Sequence, residues 1–178
     1  MYSIEELDRI VLSKRLPKVD KISLKLYCDY FESYIEKNTY LVEIDAKKSF
    51  FVKVEAKHVA HIIDLHAFHD SAVRNKKIRF SGAFSFVFIR EALLKGRWYS
   101  FDKSKCRKDT KLNPKYVASY NVGEIFYNFC ISEDDENNCF CISNIVVYKN
   151  NSWVENQELL VRKKVIHLIP RGLVIIDI

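Results

Sequence analysis

The order of hydrophobic patterns along the sequence predicts an α+β fold. Helical spacing fills most of the first half, a strand pair interrupts it, and strand-like segments follow Gly123. Apolar residues make up 48% of the 178 residues, which is enough to bury a core. No stretch rich in Gly, Ser or Pro marks a boundary, so residues 1–178 are expected to form a single domain.

The first 54 residues predict two helices and a β-hairpin. The first helix covers residues 3–13, where Ser3 and Glu6 form a capping-box pattern. The second covers residues 22–37, where apolar residues recur at helical spacing. After it, residues 40–45 and 49–54 alternate between apolar and polar side chains, as hairpin strands do.

The rest of the chain predicts central helices and then a small antiparallel sheet. Helical spacing returns over residues 56–70 and 83–94, and Gly96 ends the second of these helices. The pattern between that helix and Gly123 is less clear. Beyond Gly123, turn-forming residues separate four β segments, which cover residues 124–131, 139–148, 158–168 and 173–176.

Charge and cysteine content narrow the possible classes of protein. The net charge of +6 attracts polyanions but does not by itself prove nucleic-acid binding. Five cysteines without a CxxC pair favour neither a disulfide framework nor a four-thiolate zinc site. The acidic amino terminus does not resemble a signal peptide, and no run of 18 apolar residues occurs. We therefore expect a cytoplasmic protein that does not contact a membrane.

Four histidines cluster in the sequence HVAHIIDLHAFHD, within the predicted helix over residues 56–70. His61 and Asp64 project away from the apolar face of that helix, so His61 is a candidate for proton transfer near neutral pH. A surface or core histidine without a catalytic role is the more common situation. A metal site that uses His58 and His61 is a third possibility, although HExxH is absent.

Basic and aromatic residues alternate between Arg90 and Tyr120, and they include Lys95, Arg97, Trp98 and Tyr99. Cations pair with phosphates and aromatic rings stack on unpaired bases, so this composition suits a surface for single-stranded RNA. Solvated charge is the alternative interpretation. Walker, GxGxxG and GxSxG motifs are absent, so no nucleotide cofactor is expected.

The block KNTYLVEIDAKKSFFVKVEAKHVAHIIDLHAFHD resembles a phage nuclease family of the barnase, EndoU, colicin and RelE superfamily. That family has a Tyr-led strand pair followed by a helix with a Phe-x-His-Leu-x-Gly-Leu motif. Residues 59–65 occupy those places, with His61 at the family histidine and with Val59 and Asp64 replacing the aromatic residue and the glycine. The resemblance implies a small antiparallel sheet with helices on one side.

The resemblance also implies metal-independent RNA cleavage, of the kind carried out by toxins or phage-borne effectors. In this hypothesis His61 is the general acid or base for attack by the 2′-hydroxyl, Arg162 or a nearby Lys stabilises the phosphorane, and Ser143 and Tyr116 position the RNA. An antitoxin or immunity protein is the implied partner. The alternative is an inactive module that binds RNA or another protein on the same scaffold, which the changes at Val59 and Asp64 favour.

Overall fold

The structure is a computed structural model that describes residues 18–19, 38–45, 48–54, 78–79, 85–106, 110–136, 138–161, 164–169 and 172–176. The chain divides into two compact units, Met1–Glu36 with Glu55–Val87 and Lys37–Val54 with Phe88–Ile178. That residues 1–178 form one domain stays a prediction. The helices predicted over residues 3–13, 22–37 and 56–70 lie outside the described residues.

Strands account for most of the described residues. In chain order they are β1 (Lys18–Val19), β2 (Asn38–Asp45), β3 (Lys48–Val54), β4 (Ile78–Arg79), β5 (Arg97–Ser100), β6 (Tyr116–Val122), β7 (Ile125–Asp134), β8 (Cys139–Tyr148), β9 (Glu158–Leu160), β10 (Lys164–Ile169) and β11 (Gly172–Ile176). The first unit contains the short antiparallel pair β1–β4. The second unit contains a nine-stranded sheet in the order β11-β10-β2-β3-β8-β7-β6-β5-β9. All its neighbours are antiparallel except β3 and β8.

The described part of the chain is mostly β, so the predicted α+β fold with a small antiparallel sheet is wrong. Its one described α-helix is α1 (Ile89–Lys95), which follows a 3₁₀ turn at Ser85–Phe88 and ends at Gly96 as predicted. Two strands, β5 and β6, had no predicted counterpart. Both carry consecutive buried residues, such as Trp98 and Tyr99, and therefore lack the alternation that identifies a strand in a sequence.

The predicted hairpin is confirmed, and the β segments after Gly123 are confirmed except one. Strands β2 and β3 pair antiparallel, with Tyr40 opposite Val52 and Val42 opposite Phe50. The single strand predicted over residues 158–168 is wrong, because the chain leaves β9 at Leu160 and starts β10 at Lys164. These two strands belong to opposite sides of the sheet order.

The nine-stranded sheet is strongly curled. The ring of Phe50 on β3 stacks on that of Tyr116 on β6, with centroids 4.8 Å apart and planes 4° from parallel. In a flat sheet these strands would be about 14 Å apart, because β8 and β7 lie between them. Three residues connect β9 to β10 and reach at most about 14 Å, so the two sides of the sheet also approach one another.

Helix α1 packs against the inner, concave face of the sheet. Trp98 extends from that face and donates a hydrogen bond from Nε1 to the Leu93 carbonyl, at 3.3 Å. Phe88, immediately before α1, contacts the ring of Tyr127 on β7 with centroids 4.9 Å apart. The apolar side of the helix, which includes Ala92 and Leu93, is completely buried. The apolar side chains of the helix thus fill the inside of the curled sheet and form its core together with the inner face.

A smaller cluster covers the outer face of β5 and β6. Tyr99, Val117 and Val154 are buried there, and Phe101 and Trp153 pack against them while remaining partly exposed. Val154 and Trp153 belong to the segment between β8 and β9, which crosses this face. Both faces of β5 are therefore covered.

A buried histidine joins β10 to β2 on the inner face. The ring of His167 stacks on Tyr40, with centroids 4.5 Å apart and planes 9° from parallel. Burial and the nearby Arg90 cation lower the pKa of His167, while burial raises the pKa of Tyr40 to about 12. The folded protein therefore favours the neutral form of both rings.

Stability is expected to fall on acidification through His167. Because its pKa is lower in the folded state than the unfolded value of about 6.5, the unfolded chain takes up the proton first. The stabilisation that neutral His167 contributes is complete above the unfolded pKa and is lost as pH falls through the folded pKa of His167. His167→Phe keeps a ring against Tyr40 and should weaken the pH dependence between pH 7.5 and 5, measured by urea unfolding. An unchanged dependence would contradict this assignment.

Candidate functional site

Two of the four predicted catalytic residues, His61 and Arg162, lie outside the described residues. Ser143 lies on β8 and is engaged within the sheet: its Oγ is 2.8 Å from the Ser132 Oγ and donates to the Cys130 carbonyl at 3.4 Å. These contacts place Ser143 on the outer face, because Ser132 follows the inner-facing Ile131. A hydroxyl held in this way contributes to strand pairing.

The fourth residue, Tyr116, faces the inside of the curled sheet. Its ring stacks on Phe50, and burial together with the Glu133 carboxylate raises the pKa of its hydroxyl. Tyr116 and Ser143 therefore lie on opposite faces of the sheet. The structure does not bring these two predicted substrate-positioning residues together.

The basic and aromatic segment is only partly available to a ligand. Trp98 and Tyr99 are 1% and 7% exposed, so the prediction that they contribute to a stacking surface is wrong. Both rings are instead part of the packing on the two faces of β5. The neighbouring side chains of Lys95 and Arg97 are exposed. Lys95 and Arg97, but not these rings, can reach a ligand.

A cleft of about 380 Å³ opens where α1 meets β5 and β6. Its wall combines two cations with hydroxyl, amide and aromatic groups, from Lys95, Gly96, Arg97, Ser119, Tyr120, Asn121, Phe126 and Asn151. None of the described residues contributes a carboxylate to this lining. We refer to it as the basic cleft.

Gly96 makes the basic cleft possible by allowing α1 to approach β6 closely. A Cβ atom at this position would lie 2.4 Å from the Ala92 carbonyl oxygen and 2.7 Å from that of Ser119. The Gly96 amide also donates to the Ala92 carbonyl at 2.9 Å, which completes the last turn of the helix. Lys95 and Arg97 flank this contact, so the same junction places both cations at the cleft.

The floor of the basic cleft is polar. Register places Arg97 opposite Ser119, and Asn121 opposite Phe126, across neighbouring strands. The Ser119 hydroxyl donates to the Asn151 Oδ1 at 3.4 Å, and the Asn151 amide donates to the Tyr99 hydroxyl at the same distance. Both bonds are long, so these groups retain capacity for further hydrogen bonds.

The cations of the basic cleft are not neutralised within the described part of the chain. Among the described residues, an ion pair joins Lys105 to Asp102, at 3.9 Å, outside the cleft. No ion pair between described residues involves Lys95 or Arg97. An anion that enters the cleft would therefore meet two cations without displacing a carboxylate.

A second cleft, of about 390 Å³, has the opposite charge. It is lined by Ser49, Phe50, Phe51, Glu133, Asp134, Asp135, Asn138, Cys139 and Phe140. Its three carboxylates would repel a phosphate, so the basic cleft is the better candidate for binding polyanions.

The described residues contain neither a metal site nor a membrane span. Among them, no three His, Cys, Asp or Glu side chains group closely enough to hold a metal ion. None of their helices has the length and hydrophobicity that a bilayer crossing requires. The metal site that would use His58 and His61 lies outside the described residues.

Comparisons with protein-family models, curated proteins and solved structures found no match to this chain. The resemblance to the nuclease superfamily therefore stays a prediction.

Sequence reasoning identified Lys95 and Arg97 but missed the polar and aromatic groups around them. Ser119 and Asn121 lie on β6, a strand that had no predicted counterpart, and Asn151 belongs to a segment interpreted only as a turn. No local signal shows that these positions meet Lys95, because strand pairing brings them together.

Gly96→Ala is expected to destabilise the protein. The added methyl group meets two backbone carbonyls that cannot move independently, and overpacking of this kind costs about 1–3 kcal/mol. Urea unfolding measures the change. Gly123→Asn is the matched control, because Gly123 has a φ of +61° in open space and Asn tolerates that conformation. Equal stabilities of the two variants would show that the contact at Gly96 is unimportant.

Proposed function

We propose that the protein binds single-stranded RNA through the basic cleft. The observation that carries this proposal is the placement of two exposed cations, Lys95 and Arg97, which form no ion pair with another described residue, beside the ring of Phe126 and the amides of Asn121 and Asn151. The overall charge of +6 supports it, since it raises the local concentration of polyanions.

Each group of the cleft matches one part of a nucleotide. The guanidinium and ammonium groups pair with phosphate oxygens, and Arg97 can do so with two parallel hydrogen bonds. The partly exposed ring of Phe126 offers apolar surface to a base. Side-chain amides both donate and accept, so Asn121 and Asn151 suit the edge of an unpaired base.

Ribonuclease activity stays a prediction, because His61 and Arg162 lie outside the described residues. Cleavage of RNA in a toxin role, an antitoxin or immunity partner, and a cytoplasmic location stay predictions as well. RNA binding at the basic cleft requires none of them. RNA binding corresponds to the alternative prediction, an inactive module that binds RNA, although the fold is mostly β.

Removing both cations of the cleft is expected to weaken RNA binding. Lys95→Ala combined with Arg97→Ala should reduce affinity for a single-stranded RNA roughly tenfold or more at low salt. It should also lower the slope of log Kd against log salt concentration by roughly 1.4, since each phosphate contact on a single strand contributes about 0.7. Fluorescence anisotropy over a series of salt concentrations measures both quantities.

Lys48→Ala is the control, and it is compared with Lys95→Ala alone so that each variant loses one positive charge. Lys48 is exposed on β3 and does not line the basic cleft, so its loss changes the net charge without removing a cleft contact. Equal effects of the cleft and control variants would contradict the proposal, as would equal affinity for DNA of the same sequence.

The same RNA, analysed on a denaturing gel after long incubation, tests the ribonuclease prediction. Cleavage is expected to fall about 10²- to 10⁴-fold in His61→Ala if this histidine transfers a proton, while binding stays intact. Intact RNA with the unaltered protein, or equal cleavage by the variant, would remove His61 from a catalytic role. Binding at the basic cleft would stand in either case.

A further inference from the structure

We infer that Trp153 and Phe101 form an aromatic platform on which bases of the bound RNA stack. The platform extends the RNA path from the basic cleft along the outer face of the sheet to a second group of cations. The inference rests on the proposed function, which the basic cleft carries independently of these two rings.

The two rings form a fixed, partly exposed pair. Their centroids are 4.9 Å apart and their planes are tilted by 31°. Beneath them lie the buried side chains of Tyr99, Val117 and Val154, which hold the pair against the sheet. Such rings lose little conformational freedom when a base stacks on them, so they suit a binding surface.

The platform lies between the basic cleft and a second exposed cation, Lys115, which immediately precedes β6. Ser119 and Val117 lie two positions apart on β6, so both face outward. Ser119 lines the cleft, Val117 lies under the aromatic pair, and the four-residue separation places Lys115 at most about 14 Å from Ser119. The rings therefore occupy the middle of this path.

The second group of cations includes Lys115, which is hydrogen-bonded to Phe101 of the platform. The backbone amide of Phe101 donates to the Lys115 carbonyl at 3.1 Å, so one of the two rings is joined to the start of β6. Exposed lysines lie within four positions of Phe101 or Lys115 in the sequence, namely Lys103, Lys105 and Lys111, in addition to Lys115 itself. Of these, Lys105 is the one that forms an ion pair among the described residues, with Asp102.

This arrangement selects a single strand of several nucleotides over a mononucleotide or a duplex. Cations at both ends bind phosphates, whereas the rings need bases that are not already stacked in a helix. A dinucleotide fills one end of the path at most. A hexanucleotide is long enough to contact both cation groups and the platform.

Tryptophan fluorescence tests the inference, because the chain has two tryptophans and the other, Trp98, is buried. A hexauridylate RNA should quench the emission of the unaltered protein, and of the Trp98→Phe variant, in which Trp153 is the one tryptophan. Trp153→Leu should abolish the quenching and weaken affinity about fivefold or more, as expected for loss of a stacked base. Uridine dinucleotide should bind this variant and the unaltered protein equally.

Two outcomes distinguish failure of the aromatic platform from failure of the proposed function. Binding that depends on Lys95 and Arg97 but leaves the Trp153 emission and the Trp153→Leu affinity unchanged overturns the platform alone. Absence of RNA binding by the unaltered protein overturns the proposed function. Circular dichroism establishes that Trp153→Leu is folded, and Trp153→Phe, which keeps a ring over the same cluster, should recover most of the affinity.

Discussion

The stacking of Phe50 on Tyr116 is the contact on which the rest of the structure depends. It joins two strands that are three places apart in the sheet, and it does so at 4.8 Å. Phe140 and Trp98 pack around the same ring of Phe50. The apolar surface of four strands is thereby gathered into one inner core, which a flat sheet would leave exposed on that side.

The basic cleft and the proposed platform both follow from how the chain covers this curled sheet. Helix α1 fills the inside and must return to the sheet at β5, which places Gly96 against β6 with a cation on each side. The segment between β8 and β9 crosses the outside and brings Asn151 to the cleft and Trp153 to the outer cluster. Packing requirements thus set the positions of groups that a ligand can also use.

Charge is distributed unevenly over the sheet. The carboxylates of Glu133, Asp134 and Asp135 line a cleft with the rings of Phe50 and Phe140, whereas Lys95 and Arg97 border a cleft whose described lining has no carboxylate. Attraction to one cleft and repulsion from the other would orient a polyanion on the surface before close contacts form. The orientation follows from the arrangement of the charges, because the net charge alone has no direction.

Features that depend on neighbouring residues could be predicted from the sequence. Alternation in β2 and β3 predicted the hairpin, and Gly96 marked the end of α1. The sequence did not predict β5 and β6, because residues buried on both faces of a sheet show no alternation between apolar and polar side chains. The candidate site likewise required the tertiary structure. Lys95 and Arg97 are conspicuous in the sequence, but Ser119, Asn121 and Asn151 join them only through strand register and the curl of the sheet, which depend on contacts between distant residues.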